Sequence, residues 1–203
     1  MISRFEKFKL NESEITPPNI PNTMNFWHGG NLDYYDDIIS QKNGRYEYGP
    51  GLYIATDYGT AKKYAKGSRK LYLLTVENGV DINYAFFDVD KVKEFIDFYV
   101  IVSLKKIILN RIEKYIKNDK VPGYIFNNII LNEKAISSTK TKYLRDFYVK
   151  NGIDYNIMYN PFGNGKMMVL YNMKKIVNKI VIKPKDKITE FDLINTYKKN
   201  NDI

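Results

Sequence analysis

A chain of 203 residues is long enough for one well-packed domain and short for two. Its content is 44% hydrophobic and 15% aromatic, which supports a core, while the absence of cysteine and the single histidine exclude disulfides, thiolate zinc sites and any mechanism needing two imidazoles. The net charge of +9 favours association with polyanions, but only 5 of the 32 basic residues are arginine and asparagines are abundant, the composition of AT-rich codons, so the charge is discounted as a binding signal.

In chain order, Met1–Leu10 carries charges where a secretory segment would be apolar, and residues 1–23 read as a polar, proline-rich N-terminal arm. Met24–Trp27 predicts a strand running into the glycines after His28. Leu32–Ser40 has the spacing of a short amphipathic helix. Turns at Asn43-Gly44 and Gly49-Pro50-Gly51 precede a strand over Leu52–Thr56, a helix over Tyr58–Gly67 with Ala61 and Ala65 facing inward, and a strand over Lys70–Glu77. Apolar residues across Val89–Asn118 recur with a helical rhythm, as one long helix or two broken near Ser103. Pro122-Gly123 punctuates the chain before a helix over Ser138–Lys150, ended by Asn151-Gly152. Strands are expected over Tyr155–Tyr159, Lys166–Tyr171 and Ile176–Ile182, then a solvated tail over 183–203 with a short helix near 189–198. Strands at both ends with helices between them argue for an α+β domain. The apolar runs, such as Phe95–Leu104, are too short to span a bilayer, so a cytoplasmic protein with no membrane partner is expected.

Two stretches carry chemistry. In Phe26-Trp27-His28-Gly29-Gly30 a strand delivers a histidine to its end, and the glycines allow close approach to the backbone. A lone histidine is more often structural than functional, and the strand terminus narrows that margin. In Tyr48-Gly49-Pro50-Gly51-Leu52-Tyr53-Ile54-Ala55-Thr56, Tyr53 starts a strand and Tyr64 follows eleven residues later. Two tyrosines so placed could sandwich a flat ring, although with 18 tyrosines in the chain core packing is an equal reading.

Taken together, His28-Gly29, then Gly49 to Ala55, then Tyr64 resemble the ADP-ribosyltransferase fold of the diphtheria-toxin and poly(ADP-ribose) polymerase branch. Gly152-Ile153-Asp154 through Tyr159-Asn160, then Met168 to Asn172 and Ile176, is similar to that family's closing region. The resemblance covers residues 24–182, with a helical middle over 89–150 that carries no family motif. It implies an α+β split β-sandwich with a helical insertion around an NAD cleft. By the same resemblance His28 would bond a ribose hydroxyl on the adenosine side of NAD, and the Gly29 backbone would grip the nicotinamide carboxamide. Tyr53 would stack on the nicotinamide, with Tyr64 closing the opposite face. Such a pocket holds NAD compressed, so that the nicotinamide–ribose bond breaks towards an oxocarbenium-like centre, with NAD as co-substrate and no metal.

Two positions depart from the family pattern. Ala61 stands where a serine often bonds the nicotinamide amide, and Met167 stands where polymerising members carry a glutamate. Methionine cannot polarise an acceptor, so single transfer is expected in place of chain extension. Glu47 or Asp57 could supply an acid, exposed solvation being the simpler role for each. Lys62, Lys63, Lys66, Arg69 and Lys70 lie beside Tyr64 and would meet pyrophosphate or an acceptor phosphate, or else form a solvated helix face. Asp33, Asp36 and Asp37 read as a charged helix face, and lysine-rich 174–187 as surface. The expected activity is mono-ADP-ribosyl transfer, a glycosyltransferase reaction, from NAD to a macromolecule in a toxin, defence or phage-effector setting. Single-stranded nucleic acid is narrowly favoured over protein as acceptor, and an antitoxin or inhibitor is an expected partner. The competing class is a catalytically degenerate module that binds NAD, ADP-ribose or nucleic acid.

Overall fold

Leu71–Val76 is apolar on both faces apart from Thr75, the pattern of a strand covered from both sides, and it forms an interior strand of the sheet. The computed structural model describes residues 22–30, 32, 48–65, 70–159 and 165–182, without the side chains of 63, 64 and 182. The arm before residue 22, the helix expected over 32–40, the tail and its helix near 189–198 therefore lie outside the described residues. The six principal strands are β1 (Thr23–Gly29), β2 (Leu52–Ala55), β3 (Leu71–Glu77), β6 (Tyr155–Tyr159), β7 (Lys166–Leu170) and β8 (Ile176–Ile182). They form one sheet in the order β6-β7-β2-β1-β3-β8, and every pairing is antiparallel.

The pairing is uneven. β1 runs alongside β3 from Thr23↔Glu77 to Gly29↔Leu71, whereas it meets β2 at the single pair Trp27↔Ala55. The sheet thus consists of two three-stranded halves joined narrowly at its middle. Because side chains alternate along a strand, each face buries a different set. Phe26, Leu52, Ile54, Tyr72, Leu74, Met168 and Leu170 pack together on one face. On the other, Trp27, Leu71 and Leu73 receive helix α1 (Tyr58–Tyr64) through Tyr58, Ala61 and Ala65. The Trp27 and Tyr58 rings meet edge to face at 5.2 Å. The helix expected over 58–67 ends at Tyr64, with Ala65 as its C-cap.

Between β3 and β6 lies a helical lobe of α2 (Val89–Tyr99), α3 (Lys105–Glu113), α4 (Gly123–Asn132) and α5 (Thr141–Lys150). The long helical rhythm breaks where expected, at a 3-10 turn over Val102–Leu104 that contains Ser103. Ile96, Ile108, Phe126, Ile130, Leu144 and Tyr148 make the lobe's core, continuous with Val169 and Tyr171 of the sheet side. α5 ends in a Schellman motif: Gly152 has φ of 77° and Ile153 N–H bonds the Tyr148 carbonyl at 3.0 Å. Sequence reading did not find α4, nor the small sheet of β4 (Phe86–Asp88) and β5 (Lys120–Pro122). No helix among the described residues is long and apolar enough to cross a membrane, and those residues contain no cluster of three metal-ligating side chains.

Candidate functional site

The turn Tyr48–Gly51 is held by the strand it introduces. The Tyr53 hydroxyl donates to the Gly49 carbonyl at 2.9 Å and accepts from the Tyr48 N–H at 3.2 Å, folding the side chain back on its own turn. Gly49 has φ of 124°, and a Cβ there would stand 2.8 Å from the Tyr171 hydroxyl. At Gly51 a Cβ would meet the Leu170 carbonyl oxygen at 2.6 Å, so the turn lies directly against β7. The phenol of Tyr53 is thereby committed to structure. Its half-buried ring, packed beside the helical lobe, is the part left to meet a ligand.

His28 lies where the sheet narrows. Its Nδ1 is 2.8 Å from the Tyr53 carbonyl oxygen, and because a carbonyl can only accept, Nδ1 carries the hydrogen. Trp27↔Ala55 is the register pair that joins β1 to β2, and just past it this imidazole adds a side-chain bridge between the two half-sheets. The two residues that stood out separately in the sequence are therefore brought into contact. Gly29 follows, paired with Leu71 on the β3 side. A Cβ at Gly29 would fall 1.8 Å from the Ala61 carbonyl oxygen, so the glycine is what lets α1 approach β1.

Burial pushes the His28 imidazole below its ordinary pKa of 6.5, with the bond to the Tyr53 carbonyl opposing that shift in part. Between 6.5 and the lower native value the unfolded chain binds a proton that the native protein does not, so stability falls as pH drops below 6.5. The melting temperature of the wild type is expected to fall more steeply from about pH 7 to about pH 5 than that of His28→Asn. Equal slopes in the two proteins would remove His28 as the source.

The remaining expected residues fall unevenly around this junction. Met167 is buried on β7, flanked by Ala55 of β2 and Met158 of β6, an apolar row with no acid in it. Ala61 is buried on the inner face of α1, its carbonyl against Gly29. Tyr64 is the last residue of α1, and its side chain lies outside the described residues, as does that of Lys63. Lys66, Arg69, Glu47, Asp33, Asp36 and Asp37 also lie outside them. Lys62 is exposed, with its ammonium 5.5 Å from the Tyr58 ring centroid, and Lys70 accepts the Gly30 N–H through its carbonyl. Asp57 is not a solvated acid. It caps α1, accepting from the N–H groups of Gly59 and Thr60 and from the Thr60 hydroxyl.

Sequence reading missed a buried polar network behind the turn. The Tyr48 carbonyl accepts from Asn156 Nδ2 at 3.2 Å and the Tyr171 hydroxyl at 3.4 Å, with Asn127 Nδ2 at 3.5 Å. Asn127 also accepts from the Tyr148 hydroxyl at 2.8 Å. Burial raises the pKa of Tyr148 and Tyr171 well above the ordinary phenol value, and the neighbouring Tyr53 adds to the rise at Tyr171. The network continues through Asn83, which donates from Nδ2 to Asn156 Oδ1 and to Asp81. Burial raises the Asp81 pKa, against the N–H groups of Asn83 and Ile157 that favour its charged form. With 22 asparagines in the chain, nothing in the sequence marks Asn127 and Asn156 among them.

No protein-family model matches the chain, and no curated protein matches it. A solved structure described as "Crystal structure of an anti-CRISPR protein" is similar at a TM-score of 0.36 and 14% sequence identity, over 79% of this chain and 95% of that one. A likeness of that size carries no argument about this chain.

Proposed function

We propose that this protein is a mono-ADP-ribosyltransferase that consumes NAD, and that the cleft lies where β1 and β2 part. The observation supporting this reading is the His28–Tyr53 contact across the narrow join of the sheet. It brings together, at one place, the two motif residues on which the resemblance rests, with Gly29 next to them. In this reading the Tyr53 ring stacks on the nicotinamide while its hydroxyl stays on the turn, and the edge of β1 beyond Trp27 faces the carboxamide. The bond from ribose C1 to the nicotinamide nitrogen breaks with its electron pair leaving on nicotinamide, and an acceptor nucleophile bonds C1 and loses its proton. The apolar row around Met167 offers that acceptor no base, which supports one transfer per site over chain growth. The net charge of +9 favours a nucleic-acid acceptor narrowly over a protein.

The same row favours a second reading. A buried methionine between Ala55 and Met158 also suits a module that binds NAD or ADP-ribose without turning it over. Incubation of the purified protein with NAD separates the two, because only an enzyme releases nicotinamide. With adenine-labelled NAD and cell lysate, the transferase reading expects label on macromolecules as single ADP-ribose units by mass spectrometry. Removal of that label by nuclease identifies nucleic acid, and removal by protease identifies protein. Absence of both nicotinamide release and label would leave the binding module as the function of the cleft.

A further inference from the structure

The helical lobe carries an aromatic surface that plays no part in the site above. Phe95 and Phe147, 4.8 Å apart, belong to the lobe's interior, and from them a row of rings climbs outward. Tyr99 packs on Phe95 at 5.1 Å and stacks on Tyr143 at 4.7 Å and 20°, joining the end of α2 to the start of α5. Phe98 lies 6.3 Å from Tyr99 and is 68% exposed, on the solvent side of an amphipathic helix that buries Val92, Phe95 and Ile96. An aromatic ring that open, at the outer end of the row, has a face available for another ring.

The charge at the Tyr143 end of the row is positive. The Lys142 ammonium lies 5.0 Å from the Tyr143 ring centroid, and Lys140 is exposed in the 3-10 turn Ser138–Lys140 beside the exposed hydroxyls of Ser137, Ser138 and Thr139. Neither lysine pairs with a carboxylate among the described residues. Of the acids nearest in sequence, Asp97 meets Lys105 at 3.9 Å and Asp146 meets Arg145 at 3.2 Å. Glu94, one helical turn before Phe98, is exposed and carries no ion pair among the described residues. An open ring, two ammonium groups without a carboxylate partner and a set of hydroxyls match the two halves of an unpaired nucleotide, a flat base and a phosphate.

We propose that this face of the helical lobe binds single-stranded nucleic acid, a base stacking on Phe98 and the backbone following Tyr143 towards Lys140 and Lys142. The steps along the row, 6.3, 4.7 and 5.0 Å, reach at most about 16 Å, the span of about five nucleotides at about 3.4 Å each. That is the lower end of the site sizes that aromatic single-strand platforms use. A duplex is disfavoured because its bases are already stacked on one another. The inference goes beyond the proposed NAD chemistry and does not depend on it.

The test is fluorescence anisotropy with a labelled oligothymidylate of about twelve nucleotides, without NAD, against the same strand in a duplex. The full-length wild type is expected to prefer the single strand. Phe98→Ala should weaken single-strand binding at least about fivefold, with an unchanged melting temperature, since the side chain is exposed. Lys140→Gln with Lys142→Gln should reduce the slope of log affinity against log salt by about 1.4, the release expected for two phosphate contacts on a single strand. Equal affinity for strand and duplex, or for wild type and Phe98→Ala, overturns the proposal. Absence of oligonucleotide binding also overturns it, and reassigns the exposed Phe98, Ile101 and Val102 to a protein partner. None of these results bears on nicotinamide release, so failure here and failure of the transferase reading are read separately.

Discussion

On the transferase reading proposed above, Tyr53→Ala is expected to lower NAD turnover by about tenfold or more, because ring stacking contributes on the order of 1–3 kcal/mol and the alanine variant has no ring. The structure makes Tyr53→Phe the informative companion. Phenylalanine keeps the ring but loses the hydroxyl that donates to the Gly49 carbonyl and accepts from the Tyr48 N–H. It should therefore melt earlier, by the equivalent of about 0.5–1.5 kcal/mol per bond lost, while retaining most turnover. Alanine should show both losses. Nicotinamide release at NAD well below saturation, where the rate reports kcat/KM, measured beside thermal melts, separates stacking from turn stability. A folded Tyr53→Ala protein with wild-type turnover would sink the assignment of this ring to the site.

The sequence disclosed most where a single physical pattern dominated. β3 was legible because its short apolar run is closed by the turn pair Asn78-Gly79, and α1 because alanines at 61 and 65 fall on one helical face. The Tyr48–Gly51 turn was legible from its glycines; what the sequence could not show is that a Cβ at either would meet a specific atom, the Tyr171 hydroxyl or the Leu170 carbonyl oxygen. α4 was hidden because Pro122-Gly123 looks like punctuation. Pro122 instead closes the three-residue β5, and Gly123 opens a helix so close to Ile82 that a Cβ would lie 2.7 Å from its carbonyl oxygen. β4 and β5 are too short to show alternation. The meeting of His28 with Tyr53 needed the fold itself, since it spans 25 residues and depends on β1 and β2 separating after one pair. Asn127 and Asn156 act on a backbone carbonyl 79 and 108 residues away, a relation that no local pattern encodes.

Gly29→Ala is expected to be the most destabilising single methyl addition in the β1–α1 unit. The added Cβ would lie 1.8 Å from the Ala61 carbonyl oxygen, 2.6 Å from the Ala65 nitrogen and 2.9 Å from the Ala61 carbonyl carbon. All three are backbone atoms, so no rotamer change relieves the clash and α1 itself must move away from β1. That movement would loosen the seat of Tyr58 on Trp27 and open the layer of Ala61, Ala65, Leu71 and Leu73. Overpacking of this kind costs about 1–3 kcal/mol and occasionally more, which for a domain of this size lowers the melting temperature by about 2–4 °C per kcal/mol. Gly152→Ala is the matched control. Gly152 has φ of 77° but nothing within 4 Å of a Cβ, so alanine there incurs only the left-handed backbone penalty of about 1 kcal/mol. The larger drop at Gly29 would identify close helix packing as the reason for glycine after His28. A Gly29→Ala melt within about 1 °C of wild type would refute it. The result also bears on the cleft, because the glycine admits a helix on one face of β1 while its strand edge towards β2 is the one assigned to the carboxamide. If the packing account holds, lost turnover in Gly29→Ala reports a displaced α1 as much as a lost ligand contact. Tyr53, where phenylalanine keeps the ring and removes only the bonds to the turn, is then the residue on which the site assignment stands.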